Sequence, residues 1–425
     1  MANGLSVVQK FIFVVEVMVF GFMITTILPC GLLLAQEEVP ITTDEEILFR
    51  EIPVVVTASK REQLITMAPA SVSVITSQDI RQSGATNIPD LLRQVSGMEV
   101  MSVTVSDINI SVRGFSKYLS NKVLVMVDGR SVYLDFIGTV IWDAIPLTLE
   151  EIDRIEIVKG PGSSLYGANA FCGMINIITK SPEKIKPEIV FSGGTEETYR
   201  GSLLYGGTSG KLGYKVVVGH QEYDNWDDDD PKKVKSSLGS ILFQYQINNK
   251  SKMSLSGGRS KSDGEIATAS GTLDREGTLS HLQVNYELSD LKVRTFYTGL
   301  DGKTKNQVDL STNTFVTDTY DVEAQHLLKL GDKNSVVYGG SYRRYEIKKG
   351  AMVSENHLQD LFAFFLENEF KYTDNFSLIT GARYDTHPLI GDQISPRGAI
   401  VYSPIKDHIV RFSAGTAYQN PPFLY

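Results

Sequence analysis

Residues 152–180, IDRIEIVKGPGSSLYGANAFCGMINIITK, constrain the fold more than any other stretch. They read as two short strands around a glycine-rich turn. In the first, Ile155, Ile157 and Lys159 alternate with Arg154, Glu156 and Val158; the second is the run 174–179, rich in isoleucine. Between them Gly160, Pro161, Gly162, Gly167 and Gly173 mark sharp reversals or close backbone approach. A phosphate-binding loop is one reading, and Gly162 and Gly167 have its separation. That loop needs Lys and then Ser or Thr after its last glycine, whereas Ala168 and Asn169 follow here, so the reading fails. A hairpin in a small sheet is the plain alternative.

The stretch resembles the motif that closes the plug domain of TonB-dependent outer-membrane receptors, IERIEVVRGPxSxLYGxxAxGGVINIITK. Cys172 stands where a small residue is usual. The resemblance continues upstream, where APASVSVIT at 68–76, DLLRQVSGM at 90–98, ISVRGF at 110–115 and VLVMVDGR at 123–130 are similar to plug landmarks in the same order. It implies an α+β plug domain followed by an antiparallel transmembrane β-barrel.

Composition agrees. A net charge of −9 argues against a nucleic-acid-binding face, and a mean hydropathy of −0.08 excludes a bundle of membrane helices. Barrel strands hide in such an average because they alternate apolar and polar residues. Cys30 lies in the N-terminal apolar segment; with that segment removed, Cys172 has no disulfide partner and reads as a small buried filler. The histidines are scattered without metal-ligand spacing, and no cofactor or metal is expected.

At the N-terminus, Lys10 precedes a mostly apolar run over 11–34 that resembles a secretory signal peptide cleaved after Ala35. Glu16 and the length of the run leave a retained anchor open, and Pro29 speaks against a lipoprotein at Cys30; export follows either way. Residues 36–50 are acidic and polar, the composition of a disordered linker. Ile52, Pro53, Val54, Val55, Val56 and Thr57 then read as an extended edge strand suited to pairing with a sheet on another protein, or simply as the first strand of the next domain. The segment resembles the TonB box, which implies TonB, with its inner-membrane energising complex, as partner. The expected division is signal peptide 1–35, periplasmic linker with TonB box 36–59, plug 60–184, and the first part of the barrel 185–425.

Within the plug the pattern predicts a strand at 71–75, a helix at 78–82 capped by Thr76 or Ser77, and a helix at 88–95 capped by Asn87. Strands follow at 108–112 and 123–127, and a helical turn starts at Thr148. The resemblance implies that Arg113, Arg154 and Lys159 face the barrel wall and pair with carboxylates there; plain surface charge is the other reading.

Past Pro182 helix signals vanish. Leu282, Val284, Tyr286 and Leu288 alternate with His281, Gln283, Asn285 and Glu287; Leu212, Tyr214, Val216 and Val218 face away from Lys211, Gly213 and Lys215. The export signal and the plug decide for a barrel wall over a soluble sheet. The acidic run at 227–230 is too closely spaced for a calcium loop and reads as a solvated loop tip. About a dozen strands are legible, against roughly 22 in plugged transporters, so the chain is expected to stop before barrel closure.

The resemblance implies a protein of a Gram-negative-type outer membrane, in contact with its lipid, that is no enzyme but an active importer of a scarce bulky ligand, a ferric siderophore or cobalamin. An exported ligand-binding or adhesion receptor, or a truncated product without transport, is the competing reading. Residues 417–421 lack the Phe-Arg-Ala-Pro pattern of haem receptors. Tyr118, Tyr133, Phe136 and Trp142, in apical plug loops, are the candidate ligand contacts, each equally readable as packing.

Overall fold

The computed structural model describes residues 52–422 except 116–121, 196, 225–232, 269–270, 349, 351–354 and 406–407. The expectations for residues 1–51, the acidic loop and Tyr118 lie outside the described residues.

The described chain starts with a hairpin of two-residue strands, β1 (Val54–Val55) and β2 (Gln63–Leu64). β3 (Ser71–Thr76) ends at a residue that caps α1 (Ser77–Gln82): the Thr76 hydroxyl accepts from the Asp79 N–H, and the Asp79 carboxylate accepts from the Thr76 N–H. Asn87 caps α2 (Ile88–Leu92), which stops three residues before the expected 95. There the chain tightens into three-residue turns, Gln94 to Leu91 and Val95 to Leu92, and Gly97 adopts φ +80°. β4 (Met98–Ser102) and β5 (Ile108–Val112) form a second hairpin.

β6 (Val123–Val127), β7 (Arg130–Ser131), β8 (Ile152–Lys159) and β9 (Gly173–Thr179) join β3 in a sheet of order β3-β8-β9-β6-β7, with β6 and β9 parallel. Both faces of this sheet are covered. Ile155, Ile157, Ile175 and Ile177 pack with Leu91, Leu92 and Val125 on one side. Val158, Met174, Leu124 and Met126 pack with Val55, Ala58 and Ala68 on the other. The glycine-rich connection also contains one helical turn, α3 (Ser163–Tyr166), which strand alternation did not reveal. Gly167 ends it at φ +76°, and a Cβ on Gly173 would lie 2.9 Å from the Val158 carbonyl oxygen.

The remaining strands form a 13-stranded antiparallel sheet in sequence order. They are β10 (Glu188–Gly193), β11 (Tyr199–Ser209), β12 (Leu212–Tyr223), β13 (Val234–Asn248), β14 (Ser251–Thr268), β15 (Gly271–Leu288) and β16 (Leu291–Asn306). They continue as β17 (Thr312–Leu330), β18 (Asn334–Lys348), β19 (His357–Thr373), β20 (Phe376–Asp385), β21 (Gln393–Ile405) and β22 (His408–Gly415). Tight turns such as 210–211, 249–250 and 289–290 gather at one end, and longer connections such as 307–311 and 386–392 at the other.

Residues paired across strands share a face, so the register sorts the side chains. Arg275, Leu279 and Gln283 turn toward the plug and are buried, with His281 half-buried on the same face; Leu282 and Tyr286 turn outward. The outer face carries aromatic rows at two heights. Tyr205–Tyr214, His326–Tyr338 and Phe376–Tyr402 contact each other near the tight turns, and Tyr297–Tyr320 and Tyr342–Phe362 farther up. Two girdles around an apolar band are the mark of a barrel wall in lipid. From Phe362 to Phe370 the strand rises about 26 Å.

Candidate functional site

The site is built where the first hairpin meets both the plug sheet and the barrel wall. Glu156 is the centre of it. Its side chain, fully buried on β8, would be costly to place without partners. Its Oε2 accepts from the Val56 N–H at 2.9 Å, the Thr57 N–H at 2.8 Å and the Thr57 hydroxyl at 2.6 Å. Its Oε1 accepts from Arg154 Nε at 2.9 Å. Asn176 on β9 donates to Thr57 Oγ1 at 3.2 Å, and Pro53 O accepts from the Ile65 N–H. The 52–57 segment is therefore not the open edge strand expected: Val54 is 45% exposed, but Val55 and Thr57 are fully buried. A β-branched, half-apolar segment next to an apolar sheet face gains more by docking on it than by standing in water.

The residues just after the segment fasten it to the barrel. Lys60 Nζ lies 2.6 Å from Glu323 Oε2 on β17, with the Phe365 ring centroid at 4.2 Å. Glu323 also accepts from Arg294 at 3.1 Å. Burial pulls the Lys60 ammonium down to about 8 despite the attraction of Glu323. Arg61 pairs with Glu369 and donates to Ser335 Oγ at 2.8 Å, and Arg397 donates to the Ala58 carbonyl at 3.2 Å.

Besides the exposed pair of Arg81 and Glu188, three further charged pairs cross from plug to barrel. Asp143 meets Arg275 at 2.5 Å and Glu151 meets Lys215 at 3.0 Å, all four side chains being nearly fully buried; Glu150 pairs with Arg200. Burial pushes the Asp143 carboxyl up, opposed by Arg275, and pushes Asp107 up to about 6, opposed by the Ala267 N–H that it accepts from at 3.1 Å.

The scan against family models gives two adjoining matches: a TonB-dependent Receptor Plug Domain over residues 65–174 and a TonB dependent receptor-like beta-barrel over residues 194–425. The second alone spans more than half of the chain. The chain belongs to the TonB-dependent receptors. Among curated relatives, this receptor is 33% identical over 184 residues to the vitamin B12 transporter BtuB of Vibrio vulnificus, covering 42% of the chain and 29% of that protein. It is 27% identical over 401 residues to the iron-regulated outer membrane virulence protein of Vibrio cholerae, covering 86% and 60%. Among solved structures, a ferric enterobactin receptor (PfeA) mutant from Pseudomonas aeruginosa superposes with a TM-score of 0.70 at 18% identity, covering 87% and 64%. The chain thus spans less than two thirds of the length of each.

Several expected roles fall differently in this receptor. Arg154 pairs with Asp153 and Glu156 on its own strand, and Lys159 donates to the Ser96 carbonyl. Arg113 has an exposed side chain and no ion pair among the described residues. None of the three reaches a barrel carboxylate among the described residues: Arg154 and Lys159 are held on β8 by partners within the plug, and Arg113 lies exposed just after β5. The interface carries both senses: the cations that meet barrel carboxylates are Lys60, Arg61 and Arg81, and plug acids Asp143, Glu150 and Glu151 meet barrel cations. Their signal in the sequence was the lone cation at an inward strand position, as at Lys215. Tyr133, Phe136 and Trp142 are all buried: Phe136 packs with Leu279, Leu300 and Phe315, and Trp142 Nε1 donates to the Ile108 carbonyl at 3.2 Å. In this arrangement the three are packing residues.

Proposed function

We propose that the complete receptor imports a scarce bulky ligand, a ferric siderophore or cobalamin, across the outer membrane, and that the 52–57 segment is its TonB box. The observation that carries this reading is the way Glu156 holds the segment. It is tied by three hydrogen bonds to one carboxylate and by a two-residue hairpin, instead of being a full strand of the plug sheet. Such a segment is retained at rest and detaches without unfolding the plug. Once detached, it offers the backbone of a Val-rich strand to a sheet edge on TonB. Force from the partner, drawn on the proton-motive force, then acts on a chain that leads through β2 into β3. The relatives named for vitamin B12 and enterobactin support the ligand class. No nucleotide site is needed in this scheme.

Deleting residues 52–57 from the full-length receptor is expected to abolish uptake of labelled ligand and to leave binding to whole cells intact. Unchanged uptake would sink the mechanism. Retained binding with no TonB requirement in the intact protein would favour a receptor that does not transport.

A further inference from the structure

We propose that the polar seam between the plug and the β16–β20 wall is the route by which a charged, hydrogen-bonding ligand passes the plug, and that the Lys60 side chain closes its lower end. The proposal rests on the import reading above.

The strand register lays out the wall side of the seam. One inward row runs Arg294, Glu323, Ser341, Ala363 and Asp385, and the row above it Asp321, Arg343 and Leu361. The first row climbs obliquely, from near the tight turn 289–290 at the foot of β16 to the connection 386–392 at the head of β20. Both rows face a cavity of about 60 Å³, whose other side is the plug at Met126, Ser131, Asp135, Tyr166 and Asn169. That is room for about four to six waters at ~10–15 Å³ each. Arg294 Nε, Asp321 Oδ1 and Asn169 Oδ1 are buried on its walls with no hydrogen-bond partner among the described residues. Arg343 directs two of its donors within the wall, to Asp321 at 2.7 Å and to the Tyr345 hydroxyl at 3.0 Å. Polar walls with unmet donors and acceptors hold water, so plug and wall meet here across a hydrated layer.

Elsewhere the contact is of another kind. Above the seam, Phe136 and Ile141 pack with Leu279, Leu300 and Phe315. Over β11–β13 a second cavity is walled by Trp142, Ile145, Leu147 and Leu238, and the plug beside it is fastened by the buried pairs Asp143–Arg275 and Glu151–Lys215. Parting plug from wall at either place exposes apolar surface or strands buried charge. Parting it along the hydrated seam leaves the charges in water. The apolar contact at the foot of the seam is small, Leu165 against Val337 and Phe365.

The lower end is stopped by the first hairpin. Lys60 Nζ lies 2.6 Å from Glu323 and stands over the rings of Tyr166 at 4.8 Å and Phe365 at 4.2 Å; Glu323 and Tyr166 both line the cavity. Arg61 beside it grips Ser335 and Glu369, near the tight turns 331–333 and 374–375. Drawing residues 52–57 away lifts both cations, so the event that frees the hairpin also unstops the seam. At rest the seam is too narrow for a bulky ligand, and it widens once these two grips are gone. The mixed signs of Arg294, Glu323, Asp321, Arg343 and Asp385 suit a ligand that carries both donors and acceptors, and offer nothing to an apolar one.

The test follows thiol reactivity in the full-length receptor, in a Cys172→Ser background, with a small charged methanethiosulfonate as the probe. Ser341→Cys reports the seam against β16–β20, and Ser240→Cys reports the wall at β13. Deleting residues 52–64 is expected to speed modification of Ser341→Cys roughly tenfold and to leave Ser240→Cys as it was. In planar bilayers, with potassium chloride as the carried probe, the same deletion is expected to conduct, and modification of Ser341→Cys to reduce the current. Equal acceleration at both thiols would mean that the plug leaves as one body, and acceleration at Ser240→Cys alone that the path lies on the other side; either result overturns the route. No acceleration at either thiol, or a current that modification of Ser341→Cys leaves unchanged, overturns it as well. Heat-dependent gel mobility checks that the deletion variant is folded; if it is not, Lys60→Ala with Arg61→Ala carries the same expectation at a smaller size. Neither measurement uses TonB or an imported ligand. Uptake that survives loss of 52–57 therefore overturns the import mechanism, whereas unchanged thiols in a receptor whose uptake needs that segment overturn the route alone.

Discussion

One carboxylate decides whether residues 52–57 are held or released. Glu156 accepts two backbone N–H groups and a hydroxyl within a fully buried pocket, so removing it leaves those donors without partners. An unmet buried donor costs about 1–3 kcal/mol, enough to shift a docked segment toward release by about one to two orders of magnitude. In Glu156→Ala the amides of Val56 and Thr57 are expected to exchange hydrogen roughly ten- to a hundredfold faster, while the β8–β9 pairing around them keeps its protection. Unchanged exchange at Thr57 would show that the hairpin alone holds the segment. The importance of Glu156 was not legible in the sequence. Alternation placed it correctly on a strand opposite Ile155 and Ile157, but a face that looks polar by that count is covered here by a segment 100 residues away in the chain.

At the scale of elements, the hairpin β1–β2 is coupled to the barrel through Lys60, and the coupling has a definite pH dependence. In the docked hairpin Lys60 sits at about 8, below the ordinary lysine value of 10.5, because burial outweighs the attraction of Glu323. Once released into water the ammonium keeps its proton up to the ordinary value. Between about pH 8 and 10.5 the docked state therefore binds fewer protons, and raising the pH through that window favours docking. Below about 8 both states are protonated and this group contributes no slope. With a spin label at Ile52→Cys, the docked-to-released ratio is expected to be flat near neutrality and to rise above about pH 8, by up to about tenfold per unit. Lys60→Arg keeps its charge and is expected to remove the rise. A falling ratio would mean that the ion pair with Glu323, and not burial, dominates. The elements themselves were largely legible. β5 and β6 lie at the strands expected over 108–112 and 123–127, and α1 and α2 start at the predicted caps, because local side chains satisfy local backbone groups. The pairing of charges across the interface was not, because it depends on which plug loop the barrel curves around. Arg113, Arg154 and Lys159 carried the expectation, and Asp143, Glu150 and Glu151 carry the contacts.

For the whole molecule, plug and barrel are fitted by apolar clusters, one around Phe136 and a smaller one in which Leu165 meets Val337 and Phe365, and by buried charged pairs, and the pairs set how the plug is kept in place. Phe136 and Ile141 from the plug share a cluster with Leu279, Leu300 and Phe315 from the wall, and Asp143 meets Arg275 directly beside it. Arg275 is anchored in turn by Ser262 Oγ at 2.8 Å, and the Asp143 carbonyl accepts from Ser236 at 2.7 Å. A pair this deeply buried adds little net stability compared with an apolar pair of the same volume, but breaking it from one side strands a charge and costs about 3–5 kcal/mol. Arg275→Met alone is therefore expected to loosen the plug, seen as faster proteolysis at plug loops and a lowered first unfolding transition in detergent. Adding Asp143→Leu to it is expected to restore most of the loss, since the stranded carboxylate is gone and the site continues the Leu279–Phe315 cluster. A double variant as loose as the single one would mean that the pair positions the plug through geometry that apolar contact does not replace. A single variant as tight as wild type would mean that the apolar cluster and the Lys60, Glu150 and Glu151 contacts hold the plug without it.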